Sequence, residues 1–405
     1  MDVAHIDWIP AGTSFDDATM VFGAPIDGAD AEAALARVDL IVTGPHASAA
    51  FPEELALFVD PRFTRRLQYD FTDVSTSPIA RRWAQLDPHV VYVEDPHPRA
   101  VRDANRPRPS DLAAGLREAF DRLGQAGADE RPSLAGVDAI RPVTFGYLPV
   151  YRRPVDDDEW AQFVDALETA GALGVDRYER TRDAFIERVI TAKLRRLASL
   201  DPSTTSLTEW AAVTHLDVLS IHDTMNHTAA PDGAIRLERA PEDRLPNVVA
   251  LSNRGDADGE VAVDESPGLR SEIEVPTMRP SRLRSIAAAY RAAFDASDPG
   301  DVAFNRPYRG GWETRSIGPR LRAVEPRAVV RTDAGPARRL SLGAWQNEFC
   351  REFLLGDEAT AQLMEPGVDW VMPPGDRVDW LAGRLRAAHD LVRRESAARI
   401  GNSLR

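Results

Sequence analysis

An α/β layered sheet with helices on both faces is the fold this sequence predicts, and three observations point to it. Short apolar or β-branched runs recur along the chain. Long helix-patterned stretches separate them. Polar residues that burial alone would not select sit just past several of the runs, where ligands usually meet such sheets. The strand candidates are Leu40–Thr43 ("LIVT"), Val90–Glu94 ("VVYVE"), Val218–Ile221 ("VLSI"), Val248–Ser252 ("VVALS"), Val302–Phe304 and Val329–Arg331. The helix candidates are Ser110–Leu123, with Ser110 or Asp111 as N-cap, then Asp157–Ala170, Asp176–Leu197, Ser281–Phe294 and Val378–Arg394.

Composition changes at "RPRPSD" (Arg106–Asp111) and at "RPVDDDE" (Arg153–Glu159). The expected organisation is one catalytic domain over residues 1–405, with residues 108–214 as a mostly helical insertion packed beside the sheet. Two moderate domains are the alternative that 405 residues allow. Gly255–Gly268 ("GDADGEVAVDESPG") reads as an acidic surface loop.

A net charge of -15 argues against a nucleic-acid partner, which calls for a basic face. No apolar run is long enough for a bilayer, and "MDVAHIDWIPAG" lacks a basic-then-apolar leader, so no membrane association and a cytoplasmic location are expected. One cysteine, Cys350, excludes an internal disulfide and any multi-cysteine metal site. Lys193 is the only lysine in a chain rich in arginine, a bias that composition alone explains.

Four polar residues nevertheless stand out. His46 follows the first strand in "GPHASAA", Asp73 lies in "YDFTDVSTSP", His222 closes "VLSIHD", and Glu348 sits in the apolar stretch "WQNEFCREF". Taken singly, each has an ordinary structural reading: a hydrogen-bonded histidine, a cap for a helix starting near Ser75, a glutamate on a solvated helix face. As a set they match a catalytic zinc site. Two imidazoles and a carboxylate hold the ion with one position open, and a separate carboxylate activates water. His227, beyond the strand end, reads as a surface or supporting residue; His215 belongs at the strand's opposite end, and His97 in a proline-flanked loop. Arg106 in "DANRPRP", and Arg309 and Arg315 around Gly310-Gly311 and Thr314, suggest recognition of a small anionic substrate. Glycines admit close approach and guanidiniums bind carboxylates in pairs of hydrogen bonds. A plain hairpin turn is the other reading of Gly310-Gly311.

These segments resemble the N-formylglutamate amidohydrolases, zinc hydrolases related in fold to the zinc carboxypeptidases. "GPHAS" is similar to that family's "PHAG", "FTDVSTSPIARRWA" to its "DTDW…LYDFA", "RAVRDANRP" to "R…DLNRP", "SIHD" to "DAHS", "NRPYRGGWETR" to "N-G-R-F-K-G-G-x-x-T-R", and "NEFCREFLL" to its late "LE…YM". The resemblance runs from about His46 to Leu355. It departs at Phe71 and Ser220, where the family has aspartates, and at Arg309, where it has lysine. It implies a three-layer mixed sheet flanked by helices, of the carboxypeptidase/phosphorylase-hydrolase type, and a Zn2+ ion on His46, Asp73 and His222. Glu348 would be the base, with Arg106 supporting the developing oxyanion. Asn105, Arg309, Gly310, Gly311, Thr314 and Arg315 would bind a small anionic amino-acid derivative through an N-formyl or N-acyl amide. The acidic ligand stays open between Asp73 and Glu53, because carboxypeptidase-like sites take theirs three residues after the first histidine, here Ala49. Asp223 is the candidate to replace the carboxylate missing at Ser220. The competing classes are another metallopeptidase or amidase on the same scaffold, and a binding protein without turnover.

Overall fold

The run Leu40–Thr43 forms a strand buried on both faces, as its lack of any polar alternation requires. A computed structural model describes residues 6–23, 30–127, 130–201, 204–264, 272–330 and 337–403. Its central sheet has seven strands: β1 (Val21–Gly23), β2 (Leu40–Gly44), β3 (Val90–Glu94), β4 (His215–Thr224), β5 (Val249–Ser252), β6 (Val302–Phe304) and β7 (Ser341–Cys350). Their spatial order is β6-β5-β7-β4-β2-β3-β1. β7, β4, β2 and β3 run parallel, so their carboxyl ends share one edge. β1 joins β3 antiparallel, and β5, with β6 parallel to it, joins β7 antiparallel.

Alternate side chains of the parallel strands feed two cores. Leu40, Val42, Leu219 and Ile221 pack with α1 (Thr76–Leu86), α6 (Pro280–Ala293) and α8 (Gly375–Ser403). Ile41, Val91, Val218 and Ala344 pack on the other face with α4 (Val175–Ser199), α5 (Leu207–Thr214) and α7 (Trp312–Val324). The result is a mixed sheet between two helical layers, as the spacing of strands and helices predicts. The helices within 108–214 divide between two packings. α4 and α5 cover the sheet, whereas α2 (Leu112–Gln125) and α3 (Asp157–Leu173) join a third cluster with Phe51, Phe71 and Val101.

Three strand expectations change. β7 carries Glu348 on a ten-residue strand instead of a solvated helix; buried throughout its length past Ser341, it lacks the apolar–polar alternation that would reveal it. β4 extends well beyond Val218–Ile221. Val329–Val330 pairs with Arg338–Arg339 outside the central sheet, and Arg331 lies outside the described residues. Within Gly255–Gly268, residues 262–264 pair with 272–274, and 265–268 lie outside the described residues. Among the described residues no helix is long and apolar enough to cross a membrane.

Gly44 shows how the sheet delivers the first candidate ligand. A Cβ at Gly44 would collide with the Tyr92 hydroxyl and stand 2.9 Å from its ring carbon Cζ. Only glycine therefore lets β2 lie against β3 immediately before Pro45-His46. Gly44→Ala should cost about 1–3 kcal/mol, the usual cost of overpacking. Adding Tyr92→Phe should recover part of that loss in denaturant unfolding, because it removes the oxygen but keeps the ring. An unfolding midpoint identical to wild type for Gly44→Ala would contradict this packing.

Candidate metal centre and adjoining pocket

The edge that carries the carboxyl ends of β2 and β4 brings two imidazoles to one carboxylate. His46 stands just past β2, and Asp73, in the turn before α1, is tied to it by an Asp73 N–H to His46 carbonyl bond of 3.0 Å. His222 lies near the end of β4. The Nδ1 atoms of His46 and His222 approach Asp73 Oδ2 at 3.0 and 2.7 Å. All three side chains are buried, and their potential ligand atoms lie within 4.8 Å of one another.

Each ring is oriented through its far nitrogen. His46 Nε2 is 2.7 Å from Asp103 Oδ1, and Asp103 Oδ2 is in turn held by Arg99 at 2.6 and 3.1 Å. His222 Nε2 is 2.8 Å from Ser220 Oγ. Burial and the Arg99 guanidinium oppose a charged His46, yet the Asp103 and Asp73 carboxylates outweigh them and push its pKa up to about 9. Burial likewise opposes an ionised Asp73, but the two imidazoles hold it well below the usual carboxylate range. The cluster therefore attracts positive charge, as a proton or as a cation. Two nitrogens, one carboxylate oxygen and outer acceptors for the rings are the donor chemistry of a transition-metal site. His46, Asp73 and His222 could hold such an ion.

Glu348 lies beside this cluster because β7 and β4 are in register, with Glu348 directly opposite His222 and Gln346 opposite Ser220. Thr224 Oγ1 donates to its Oε1 at 2.7 Å and Gln346 Nε2 to its Oε2 at 2.9 Å. Burial raises the pKa of Glu348 above the ordinary glutamate value. A buried carboxylate with a raised pKa, opening on a pocket, is suited to taking and returning a proton.

The pocket has a volume of about 360 Å³, and the cluster, Glu348, Asn105, Arg106, Arg309, Gly310 and Gly311 all line it. Asn105 caps the start of α7, its Oδ1 accepting from Glu313 N at 3.0 Å. The glycine pair makes that docking possible. Gly310 has a φ of +98°, and a Cβ at Gly311 would collide with the Asn105 side chain. Arg106 is fixed by Asp138 at 2.6 Å and by the Asn105 carbonyl at 3.1 Å.

Other expected residues lie elsewhere. Arg315 is exposed and lines a separate cavity with Arg254, Glu274 and Arg322. It follows Glu313 by two positions, about 200° around a helix of 3.6 residues per turn, so with Glu313 facing the core Arg315 faces away. Thr314 is buried and donates to the Gly311 carbonyl at 2.9 Å, closing the turn. Arg309 reaches the pocket wall, but its Nη2 is 2.9 Å from Glu274 Oε2 and 2.8 Å from the Arg254 carbonyl. Glu53 is exposed and accepts from Ala11 N at 3.2 Å, outside the cluster. Asp223 points to the opposite face of β4 and pairs with Arg351, so it does not replace the missing acid beside His222. His227 pairs with Glu352 at 3.0 Å, His215 lies in a cavity at the other end of β4, and His97 is buried.

Among the residues not visible in the sequence are two in the pocket wall. Arg239 lines the pocket from just past the strand Ile235–Glu238, its Nε held by the Met225 carbonyl at 2.8 Å. Its terminal nitrogens have no hydrogen-bond partner among the described residues. One arginine in so arginine-rich a chain gives no signal. Tyr308 forms an aromatic part of the wall; it stands in the glycine motif, where only its neighbours attracted notice.

Residues 38–167 match the N-formylglutamate amidohydrolase family model. The match takes in His46, Asp73, Asp103 and Asn105 and runs through α2 into α3; His222, Glu313 and Glu348 lie outside it. A crystal structure of a gene product from Agrobacterium tumefaciens is similar at a TM-score of 0.42 and 15% identity, covering 91% of this chain and 94% of that one. A search of curated proteins gives no significant match.

Metal analysis separates the two acidic candidates. His46→Ala, His222→Ala and Asp73→Asn should each remove most of the cation that purifies with the protein, whereas Glu53→Gln should retain it. Retention in Asp73→Asn with loss in Glu53→Gln would reverse the assignment.

Proposed function

We propose that the chain is a zinc-dependent amidohydrolase of the N-formylglutamate type, cleaving the N-formyl or N-acyl amide of a small acidic amino-acid derivative. The observation that carries this reading is the β7–β4 register, which sets the Glu348 carboxylate beside a buried two-histidine, one-aspartate cluster at the floor of a pocket. The family match over residues 38–167 supports the same reaction class. A carboxypeptidase-like scaffold acting as one catalytic domain in the cytoplasm completes the reading.

Zinc held by His46, Asp73 and His222 would supply Lewis acidity and lower the pKa of water at the pocket floor. Glu348 takes a proton from the attacking water as its oxygen adds to the amide carbon. Glu348 then delivers that proton to the departing nitrogen as the C–N bond breaks, giving a free amine and a carboxylic acid, whose remaining water-derived proton is lost to solvent or to the amine. Thr224 and Gln346 hold the carboxylate in place during both transfers. Arg106, fixed through Nε and Nη1, keeps Nη2 without a partner among the described residues and can meet the carbonyl oxygen as charge develops on it.

Substrate charge selection falls to Arg239. Arg309 is engaged by Glu274, and Arg315 opens on another cavity. Hydrogen bonds to a charged group contribute about 1.5–3 kcal/mol each, enough to draw a carboxylate into an acidic protein.

Two variants test the proposal on a panel of N-formyl amino acids. Glu348→Gln should keep its cation and lose about 10²-fold or more in kcat. Arg239→Ala should raise KM for dicarboxylate substrates by about tenfold, the equivalent of 1.4 kcal/mol, with little change for neutral ones. Wild-type protein with bound zinc but no turnover across formyl, acetyl and peptide substrates would leave a binding protein instead.

A further inference from the structure

His222 is the one cluster residue whose outer partner is a hydroxyl. Ser220 precedes it by two positions on β4 and therefore projects from the same face of the strand. Beyond Ser220 stands Glu313, the fourth residue of "GGWETR", completely buried at the first turn of α7. Ser220 Oγ is 2.8 Å from His222 Nε2 and 2.6 Å from Glu313 Oε2.

Proton counting orders these contacts. Glu313 Oε1 accepts from the Tyr178 hydroxyl at 2.7 Å and from Arg182 Nη1 at 2.5 Å. Its Oε2 faces the Thr43 hydroxyl at 2.7 Å and Ser220 Oγ. Burial alone would raise its pKa, but the Arg182 guanidinium and the three hydroxyls bring it below the ordinary value, so the carboxylate is ionised and only accepts. A serine hydroxyl has one proton. Given to Glu313, that proton leaves only lone pairs facing His222, and the short contact to Nε2 then requires a proton on the imidazole.

We propose that Ser220 and Glu313 form a relay, His222 Nε2–H to Ser220 Oγ–H to the Glu313 carboxylate, that fixes the tautomer and orientation of His222. Nε2 keeps its proton, and Nδ1, the nitrogen facing Asp73, is the one that can bind a cation. Ser220 and Glu313 are positioning residues. The relay supplies to His222, through one intervening hydroxyl, what Asp103 supplies to His46 directly. Asn105 Nδ2 is the rival contact at Nε2, but it lies at 3.4 Å and has Gln346 Oε1 at the same distance.

The relay's effect on metal rests on the zinc reading above, whereas its effect on the tautomer does not, and the test uses both. Zinc affinity is measured by chelator competition on full-length protein. Outer partners of metal-bound histidines typically contribute 10–100-fold in affinity. Ser220→Ala should weaken zinc binding by about tenfold or more while the protein stays folded. Because both members act through one chain, Ser220→Ala/Glu313→Gln should lose little more than the worse single variant. Ser220→Asp/Glu313→Gln, which moves the carboxylate next to the ring without adding a buried charge, should recover most of the affinity. Ser220→Ala leaves the Glu313–Arg182 pair intact, so it still tests the relay if Glu313→Gln fails through that contact. Folded Ser220→Ala with wild-type zinc affinity, or independent additive losses, would overturn the relay. In metal-free wild type, 15N NMR of the imidazole should find His222 Nε2 protonated. An unprotonated Nε2 there would sink the relay even if zinc were never bound.

Discussion

Ionised groups removed from water must be compensated nearby, and the centre of this protein meets that demand by alternating charge. Asp73 Oδ2 receives Nδ1 of two imidazoles that come from segments far apart in the chain. Behind one imidazole lies Asp103, behind the other Ser220 and then Glu313; behind Asp103 lies Arg99, and behind Glu313 lies Arg182. Buried charges gain enough from one another to offset desolvation only with good geometry and with their remaining hydrogen bonds made. That constraint explains why so many elements end here. His46 stands past β2, Ser220 and His222 on β4, Asp73 in the turn before α1, Arg99 and Asp103 in the loop after β3, Arg182 on α4 and Glu313 in the first turn of α7, and removing one charged member leaves its partner buried and uncompensated.

The reactive side of the pocket follows from sheet geometry. Because β7 runs parallel to β4, equivalent positions at their carboxyl ends point the same way, so Gln346 and Glu348 stand against Ser220 and His222. A slip of one residue would turn Glu348 to the opposite face of the sheet. The flanking antiparallel β5 locks that register through Glu348↔Ala250 and Phe349↔Val249.

Much of the parallel sheet was legible in the sequence because "LIVT" and "VVYVE" are uninterrupted apolar runs, and His46 and His222 follow such runs. β7 was not, since "WQNEFC" mixes polar and aromatic residues that only its tertiary surroundings reconcile with burial. The choice of Asp73 over Glu53 also needed the fold: a 3-10 turn after residue 52 carries Glu53 to the surface. Arg315 misled because a motif preserves order along the chain but not direction around a helix, and the alternate face of α7 belongs to Glu313. The same loss of angular information hid Glu313 itself. Nothing local distinguishes a tryptophan-glutamate pair in a turn from a solvated helix start.

The start of α7 joins two jobs in one short segment. Gly310 and Gly311 shape the rim where a substrate would enter, and Glu313, two residues on, sits beneath His222. Lengthening or exchanging the rim turn would therefore shift a residue under the centre as well. The hairpin that ends at Arg239 also lines the pocket but contributes no member to the buried charge array. For anyone redesigning the pocket, the hairpin is the adjustable wall and the glycine turn is the fixed one.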